Sequence, residues 1–62
     1  MIDVTRLNGK IITVNCDLIL FVEETPDTVL TFTNGTKLIV KEQALDIKNK
    51  IIEYRKKIYV NV

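Results

Sequence analysis

The side chains of this sequence that come nearest to catalytic equipment are one cysteine, Cys16, and two neighbouring carboxylates, Glu23 and Glu24. A cysteine nucleophile needs a nearby base, and the sequence has no histidine to supply one. Cys16 follows Ile12 and Val14 at alternate positions of a predicted strand, a pattern that favours a small buried hydrophobic residue. Neighbouring strand residues point to opposite faces, so the two glutamates do not converge on one substrate or ion. We therefore expect no catalytic residues and no enzyme activity.

Composition argues against metal and cofactor sites in the same way. One cysteine without histidine cannot build a zinc cluster, and a single cysteine cannot form a disulfide within the chain. The two glycines, Gly9 and Gly35, both belong to predicted turns, which leaves none for a phosphate-binding loop. The sequence therefore predicts no metal and no cofactor.

The basic run Arg55, Lys56 and Lys57 is the best candidate for contact with nucleic acid. Phosphate binding usually needs several cations on one surface, and the net charge of the chain is only +1. Other charged residues are spread around the same predicted helix. A solvated helix face is therefore the favoured interpretation, and nucleic-acid binding is the alternative.

The length of 62 residues indicates one domain spanning residues 1–62, and 47% hydrophobic with 27% charged residues is typical of a globular fold. A chain this short buries only about 60% of its unfolded surface. Without a disulfide or a metal, association of subunits is the remaining source of stability. The longest apolar run, residues 18–22, is far shorter than the ~20 residues of a membrane span, and no signal peptide is recognisable. We expect a cytoplasmic protein without membrane insertion.

Two Asn-Gly pairs, Asn8-Gly9 and Asn34-Gly35, predict the turns of two β-hairpins. Two-residue loops would place apolar residues opposite polar ones or split them between faces. Three-residue loops with a bulged glycine gather the apolar residues on one face, because a shift of one residue exchanges the faces. The predicted pairs are Ile2 with Val14, Val4 with Ile12, Thr28 with Val40 and Leu30 with Leu38.

The remaining strands follow from turn residues and apolar runs. Pro26 and Asp27 predict a turn between a strand at residues 18–23 and the second hairpin. Residues 18–22 are apolar without alternation, so both faces of this strand should be covered, and Ile19 and Phe21 are predicted to face a partner. The predicted strands are 2–6, 10–15, 18–23, 28–32 and 36–41, in a five-stranded antiparallel meander that forms a sheet or an open barrel.

The hydrophobic period changes from two to 3.6 after residue 42, which predicts an amphipathic helix over residues 43–57. The fold class is therefore mainly β, of the α+β kind. A β-prone tail at residues 58–62 follows the helix. This tail is either a docked last strand or an arm that adds to the sheet edge of a neighbour.

Several strings of this sequence resemble the flagellar FlbD/SwrD family: TRLNG at residues 5–9, NCDLI at 15–19, FVEETPDT at 21–28, TNG at 33–35 and VKE at 40–42. Cys16 departs mildly from the pattern, since a small residue such as alanine is expected there. The resemblance implies a bacterial cytoplasmic protein, peripheral to the flagellar motor, that is linked to swarming and supports motor force through the stator. It implies no activity and no cofactor, and it supplies no catalytic residues.

These observations predict a non-enzymatic flagellar accessory protein that forms a homo-oligomer and binds a motor or stator component. The alternative is a small nucleic-acid-binding regulator of flagellar gene expression. Arg6 is singled out for partner binding because neither the turn nor the core requires an arginine there. The residues predicted for self-association are Ile19, Phe21, Ile58, Tyr59, Val60 and Val62, and those for partner binding are Arg6, Arg55, Lys56 and Lys57.

Overall fold

The structure, a computed structural model, describes residues 1–60, with side chains described for residues 1–58. Five antiparallel strands precede one helix, which confirms the α+β class. In chain order the elements are β1 (Ile2–Thr5), β2 (Ile11–Val14), a 3₁₀ turn (Cys16–Leu18), β3 (Ile19–Glu24), β4 (Thr28–Phe32), β5 (Lys37–Val40) and α1 (Ala44–Val60).

The strands form two sheets, so the prediction of a single five-stranded meander is wrong. β1 pairs with β2, and β3, β4 and β5 form a separate three-stranded sheet. The break lies between β2 and β3, where the Asn15 side chain accepts a hydrogen bond of 3.0 Å from the Asp17 N–H. This local bond stabilises the 3₁₀ turn in place of a hairpin that would pair β2 with β3.

The two sheets meet at the ends of β1 and β5 rather than through the chain connection between them. The Lys41 N–H donates to the Thr5 carbonyl oxygen at 2.8 Å, and Arg6 forms an isolated antiparallel bridge with Val40. The sheets therefore lie side by side at this point. Within the described residues, no further bridge joins the first hairpin to β5.

Both hairpin registers are confirmed. Three-residue loops place the glycines at positive φ, +88° for Gly9 and +89° for Gly35, where residues with a Cβ are strained. Each hairpin aligns its apolar residues on the core side. The observed pairs include Ile2 with Val14, Val4 with Ile12, Thr28 with Val40 and Leu30 with Leu38.

The core is formed by the inner faces of both sheets and one face of α1. Val4, Leu30, Val40 and Ile47 are the largest side chains that are completely buried. Burial of such aliphatic side chains provides the main stabilising free energy of a domain this small. The other buried apolar residues are Ile2, Val14 and Cys16, and partly buried residues around them are Ile12, Ile19, Val22, Phe32, Leu38, Ile51 and Tyr54.

Strand β3 contains an irregularity that the sequence pattern did not predict. Its pairing with β4 shifts by one residue between Ile19 and Phe21. An inserted residue changes the alternation of the strand, so Ile19 and Val22 pack on the core while Leu20 and Phe21 are exposed. The expectation that Ile19 and Phe21 share a partner-facing side is therefore wrong for Ile19.

Helix α1 begins with two side-chain caps. The Ala44 N–H donates to Glu24 Oε1 at 2.6 Å, and the Gln43 N–H donates to Asp46 Oδ2 at 3.3 Å. These carboxylates satisfy amides that have no partner within the helix and suit its positive end. Glu24 thereby fixes the start of α1 against the end of β3.

The helix continues to Val60, so the predicted end near Lys57 and the β-prone tail are wrong for residues 58–60. Extending an existing helix is far easier than starting one, and neither glycine nor proline follows Lys57 to end it. Residues 58–60 therefore continue the helix, although β-branched residues are slightly unfavourable in a helix. Val62 lies outside the described residues.

Candidate interaction surface

Two of the three residues considered above as possible catalytic groups are used by the fold. Cys16 is buried, as predicted, with 4% of its surface exposed. The Glu24 carboxylate caps α1, while Glu23 lies exposed on the opposite face of β3. Within residues 1–60, no group of three histidine, cysteine, aspartate or glutamate residues could hold a metal ion.

The outer face of the three-stranded sheet carries an apolar patch formed by Phe21, Val29 and Ile39. Val29 lies directly opposite Ile39 in the β4–β5 pairing and directly opposite Glu23 in the β3–β4 pairing. Phe21 is two residues before Glu23, which makes it a diagonal neighbour of Val29. Phe21 is 57% exposed and Ile39 42% exposed. We call these three residues the outer-face patch.

The residues predicted for self-association do not all lie on one surface. Phe21 belongs to the outer-face patch, whereas Ile19 packs against the core. Ile58 is exposed at the end of α1, and Tyr59 and Val60 are helical residues whose side chains are not described. Of the predicted set, Phe21 is the residue with the clearest exposed position on a sheet.

Arg6 lies beside an open depression of about 340 Å³ between the first hairpin turn and β5. Its backbone is used by the fold, since its N–H donates to the Lys10 carbonyl and its carbonyl accepts from the Gly9 N–H. Its guanidinium makes no hydrogen bond or ion pair with any residue in the described part of the chain. We call this the first-turn depression, and it is lined by Arg6, Leu7, Asn8, Lys37, Leu38 and Ile39.

The TRLNG and EETPDT strings come together in space. A second depression, of about 330 Å³, is lined by Leu7 from the first string and by Glu24, Pro26 and Asp27 from the other. In the EETPDT segment, the Thr25 N–H donates to the Asp27 carbonyl oxygen at 3.3 Å, so this turn is stabilised by backbone rather than by the Asp27 carboxylate. Residues of the two strings therefore line the same depression.

Glu42 binds Thr5, the first residue of the TRLNG string, and it was not singled out from the sequence. Its Oε1 accepts from the Thr5 N–H and its Oε2 from the Thr5 hydroxyl, both at 2.8 Å. Burial raises the pKa of Glu42, but these hydrogen bonds, its own backbone amide and the charge of Lys50 outweigh burial and lower the pKa below its ordinary value. The carboxylate form therefore joins β1 to the segment before α1.

The basic run at the end of α1 is partly neutralised by neighbouring carboxylates. Arg55 Nη2 lies 3.1 Å from Asp17 Oδ1, an ion pair that links α1 to the 3₁₀ turn. Lys56 Nζ lies 3.8 Å from Glu53 Oε1. Lys57 also interacts with other residues. Arg55 thus has a structural role that the sequence pattern did not reveal.

Leu7 and Lys37 were also missed as candidate site residues. Leu7 could have been found from the sequence, because the first position of a three-residue loop exposes its side chain. In the structure Leu7 is 53% exposed. Lys37 gave no such signal. It reaches the first-turn depression only because the Arg6–Val40 bridge brings β5 next to the first hairpin.

A comparison with known families matches residues 1–59 to FlbD, described as flagellar and swarming motility proteins. The chain belongs to the FlbD family. Family membership connects the chain with flagella and motility, which agrees with the resemblance of the TRLNG and EETPDT strings. No curated protein and no solved structure matches the chain. In the described part of the chain, no helix has both the length and the apolar character needed to cross a bilayer.

Proposed function

We propose that this FlbD-family chain is a non-enzymatic accessory protein of the flagellar motor that self-associates and binds a stator component. The observation that carries the proposal is the amount of apolar surface outside the core. Seven apolar residues are buried in the described structure, whereas ten large apolar side chains are exposed. Contiguous exposed apolar groups mark interaction surfaces more often than isolated ones do.

The outer-face patch is the surface that we assign to self-association. Phe21, Val29 and Ile39 are presented by three adjacent strands, so a flat partner can contact all of them together. Covering them removes apolar area from water, which favours association by about 25 cal/mol per Å² before the costs of binding. Association would also supply stability that a core of this size lacks.

Light scattering on a sizing column tests self-association directly. The chain should elute with a mass above that of one subunit, and Phe21→Ser should shift the population towards the monomer. Ile11→Ser is the matched control, because Ile11 is 71% exposed but lies on β2, in the other sheet. A monomer at all concentrations would contradict self-association, and equal effects of both variants would contradict the assignment to the outer-face patch.

The motor role is tested in cells by deleting the gene and measuring swimming, swarming and motor torque. We expect lower torque with flagella still assembled, because an accessory protein supports the motor without building the filament. Complementation with the unaltered sequence should restore torque. Normal torque and normal swarming in the deletion strain would overturn the proposed function.

A further inference from the structure

The first-turn depression has an uneven distribution of charge. Arg6 and Lys37 are both exposed at its wall, and the described residues that line it include no carboxylate. Neither side chain forms an ion pair or a hydrogen bond with a residue in the range 1–60. Arg55 differs in this respect, because Asp17 already binds it. The depression is therefore complementary to an anionic group.

Apolar side chains flank these two cations. Leu7, which is 53% exposed, and Ile39, which is 42% exposed, belong to the same wall. A phosphate group would leave both of them in contact with water. A ligand that carries carboxylates together with aliphatic side chains would contact the cations and the apolar residues at once.

The backbone of β5 adds a third kind of contact. The Phe32 N–H donates to the Thr36 carbonyl at 2.8 Å, so by antiparallel alternation Leu38 bonds to β4 while Lys37 and Ile39 direct their backbone groups away from it. Lys41, the next residue with this orientation, donates to Thr5. Arg6–Val40 is the last bridge between β5 and β1 in the described residues. Beyond it, the β5 edge at Lys37 is open.

We infer that the first-turn depression binds an extended segment of a partner protein, one in which carboxylate and aliphatic side chains alternate. The segment adds as a strand to the open edge of β5, with its carboxylates on the face of Lys37 and directed into the depression that Arg6 also lines. Backbone bonds supply affinity in strand addition, and alternate side chains supply specificity. Arginine can bind a carboxylate through two parallel hydrogen bonds. This inference rests on the proposed function and specifies the chemistry of the partner.

The probe is a fluorescent peptide of about eight residues with alternating glutamate and valine, long enough to cover a short strand. Anisotropy titration of the full chain should show saturable binding that weakens with salt. Arg6→Glu and Lys37→Glu should each weaken binding by about tenfold or more. Lys10→Glu is the matched control, since it makes the same charge change on the same hairpin outside the depression, and it should change binding by less than about twofold.

Two altered peptides test the charge contacts and the backbone hydrogen bonds separately. Glutamine in place of glutamate should weaken binding by removing the charge, and proline in place of valine should abolish it by removing the N–H groups that pair with β5. Amide shifts in the NMR spectrum should centre on residues 7–8 and 37–39. Equal weakening by Lys10→Glu, unaltered binding of the proline peptide, or shifts elsewhere would each overturn the inference.

Other occupants give different results and would also overturn it. If the peptide does not bind, while a DNA oligomer binds and is weakened by Arg6→Glu and Lys37→Glu, the depression is a nucleic-acid site. Loss of self-association in Arg6→Glu would assign it to a second copy of this chain. In the deletion strain, normal torque from a chain carrying both charge reversals would refute the inference alone, whereas the proposed function fails if the deletion itself has no effect.

Discussion

The two Asn-Gly turns share one backbone geometry but present different chemistry. In each, the asparagine side chain accepts a hydrogen bond of 3.0 Å from the amide two residues later, and the glycine has φ near +88°. In each, the N–H of the residue before the loop donates a 2.8 Å hydrogen bond to the carbonyl oxygen of the residue after it, from Arg6 to Lys10 and from Phe32 to Thr36. Backbone requirements are therefore the same at both turns.

The side chains at matching positions have opposite environments. Phe32 is half-buried against the core, while Arg6 at the equivalent position is exposed and unpaired within the described residues. Since a core residue fits this position in the second turn, the turn itself does not explain the arginine in the first. The comparison separates residues that the fold requires from residues available for binding.

The largest expected effect is a change in the free energy of unfolding, measured when Phe32 and Arg6, the side chains at matching positions of the two turns, are each truncated to alanine. Phe32→Ala should lower the free energy of unfolding by about 2–3 kcal/mol, because it removes apolar contacts with the core. Arg6→Ala should change it by less than about 0.5 kcal/mol, yet weaken binding of the glutamate-valine peptide. Urea denaturation and anisotropy measure the two effects on the same samples. Similar stability losses in both variants would show that Arg6 has a role in folding.

The hairpins could be predicted from sequence because their registers are determined by local rules. Asn-Gly selects the turn, and a one-residue slip would expose Val4 and Leu30 to water. The separation into two sheets occurs instead at a short 3₁₀ turn, which is closed by backbone bonds and by the Asp17 N–H donating to the Asn15 side chain, and the face of Ile19 depends on a shift in pairing. Neither changes the hydrophobic pattern, so periodicity could not indicate them.

The candidate site was only partly predictable for a similar reason. Arg6 could be found because it has no role in a turn or a core. Lys37 and Ile39 join it through a bridge between residues that are far apart in sequence. Arg55 was assigned to partner binding, but its nearest partner, Asp17, lies on another element. Composition around a residue cannot show such contacts.

The hairpins also differ in how they are joined to the rest of the molecule, and Glu42 tests this difference. The second hairpin is part of a three-stranded sheet, whereas the first depends partly on the Thr5–Glu42 bonds. Glu42→Gln should lower the free energy of unfolding by about 1 kcal/mol at about pH 7. Urea denaturation across a range of pH is the measurement.

The pH dependence follows from the direction of the Glu42 pKa shift. Because the pKa is lowered in the folded state, the contribution is complete above the ordinary value of 4.5 and disappears as pH falls through the folded-state pKa. The difference between the unaltered chain and Glu42→Gln should therefore shrink at about pH 3. Glu53→Gln changes an exposed carboxylate on α1 and serves as the control. A constant difference across this range would contradict ionic anchoring of the first hairpin.

The smallest expected effects are changes in the free energy of unfolding, and they have opposite signs at two threonines in matching positions of the two hairpins. Thr5 and Thr31 each precede the residue that opens a turn, but the Thr5 hydroxyl donates to Glu42, while Thr31 Oγ1 is buried without a hydrogen-bond partner among the described residues. Thr5→Val should destabilise the chain by about 1 kcal/mol, whereas Thr31→Val should stabilise it by about 0.5 kcal/mol. Urea denaturation of both variants gives the comparison.

A double-mutant cycle identifies the cause of the Thr5 effect. If the hydroxyl acts through Glu42, Thr5→Val should cost clearly less in a Glu42→Gln background than in the unaltered chain. Thr31→Val should have the same effect in both backgrounds, because its hydroxyl does not contact Glu42. A cost of Thr5→Val that does not depend on Glu42 would mean that valine disturbs the end of β1 itself, and the anchoring contact would then be the Thr5 amide alone.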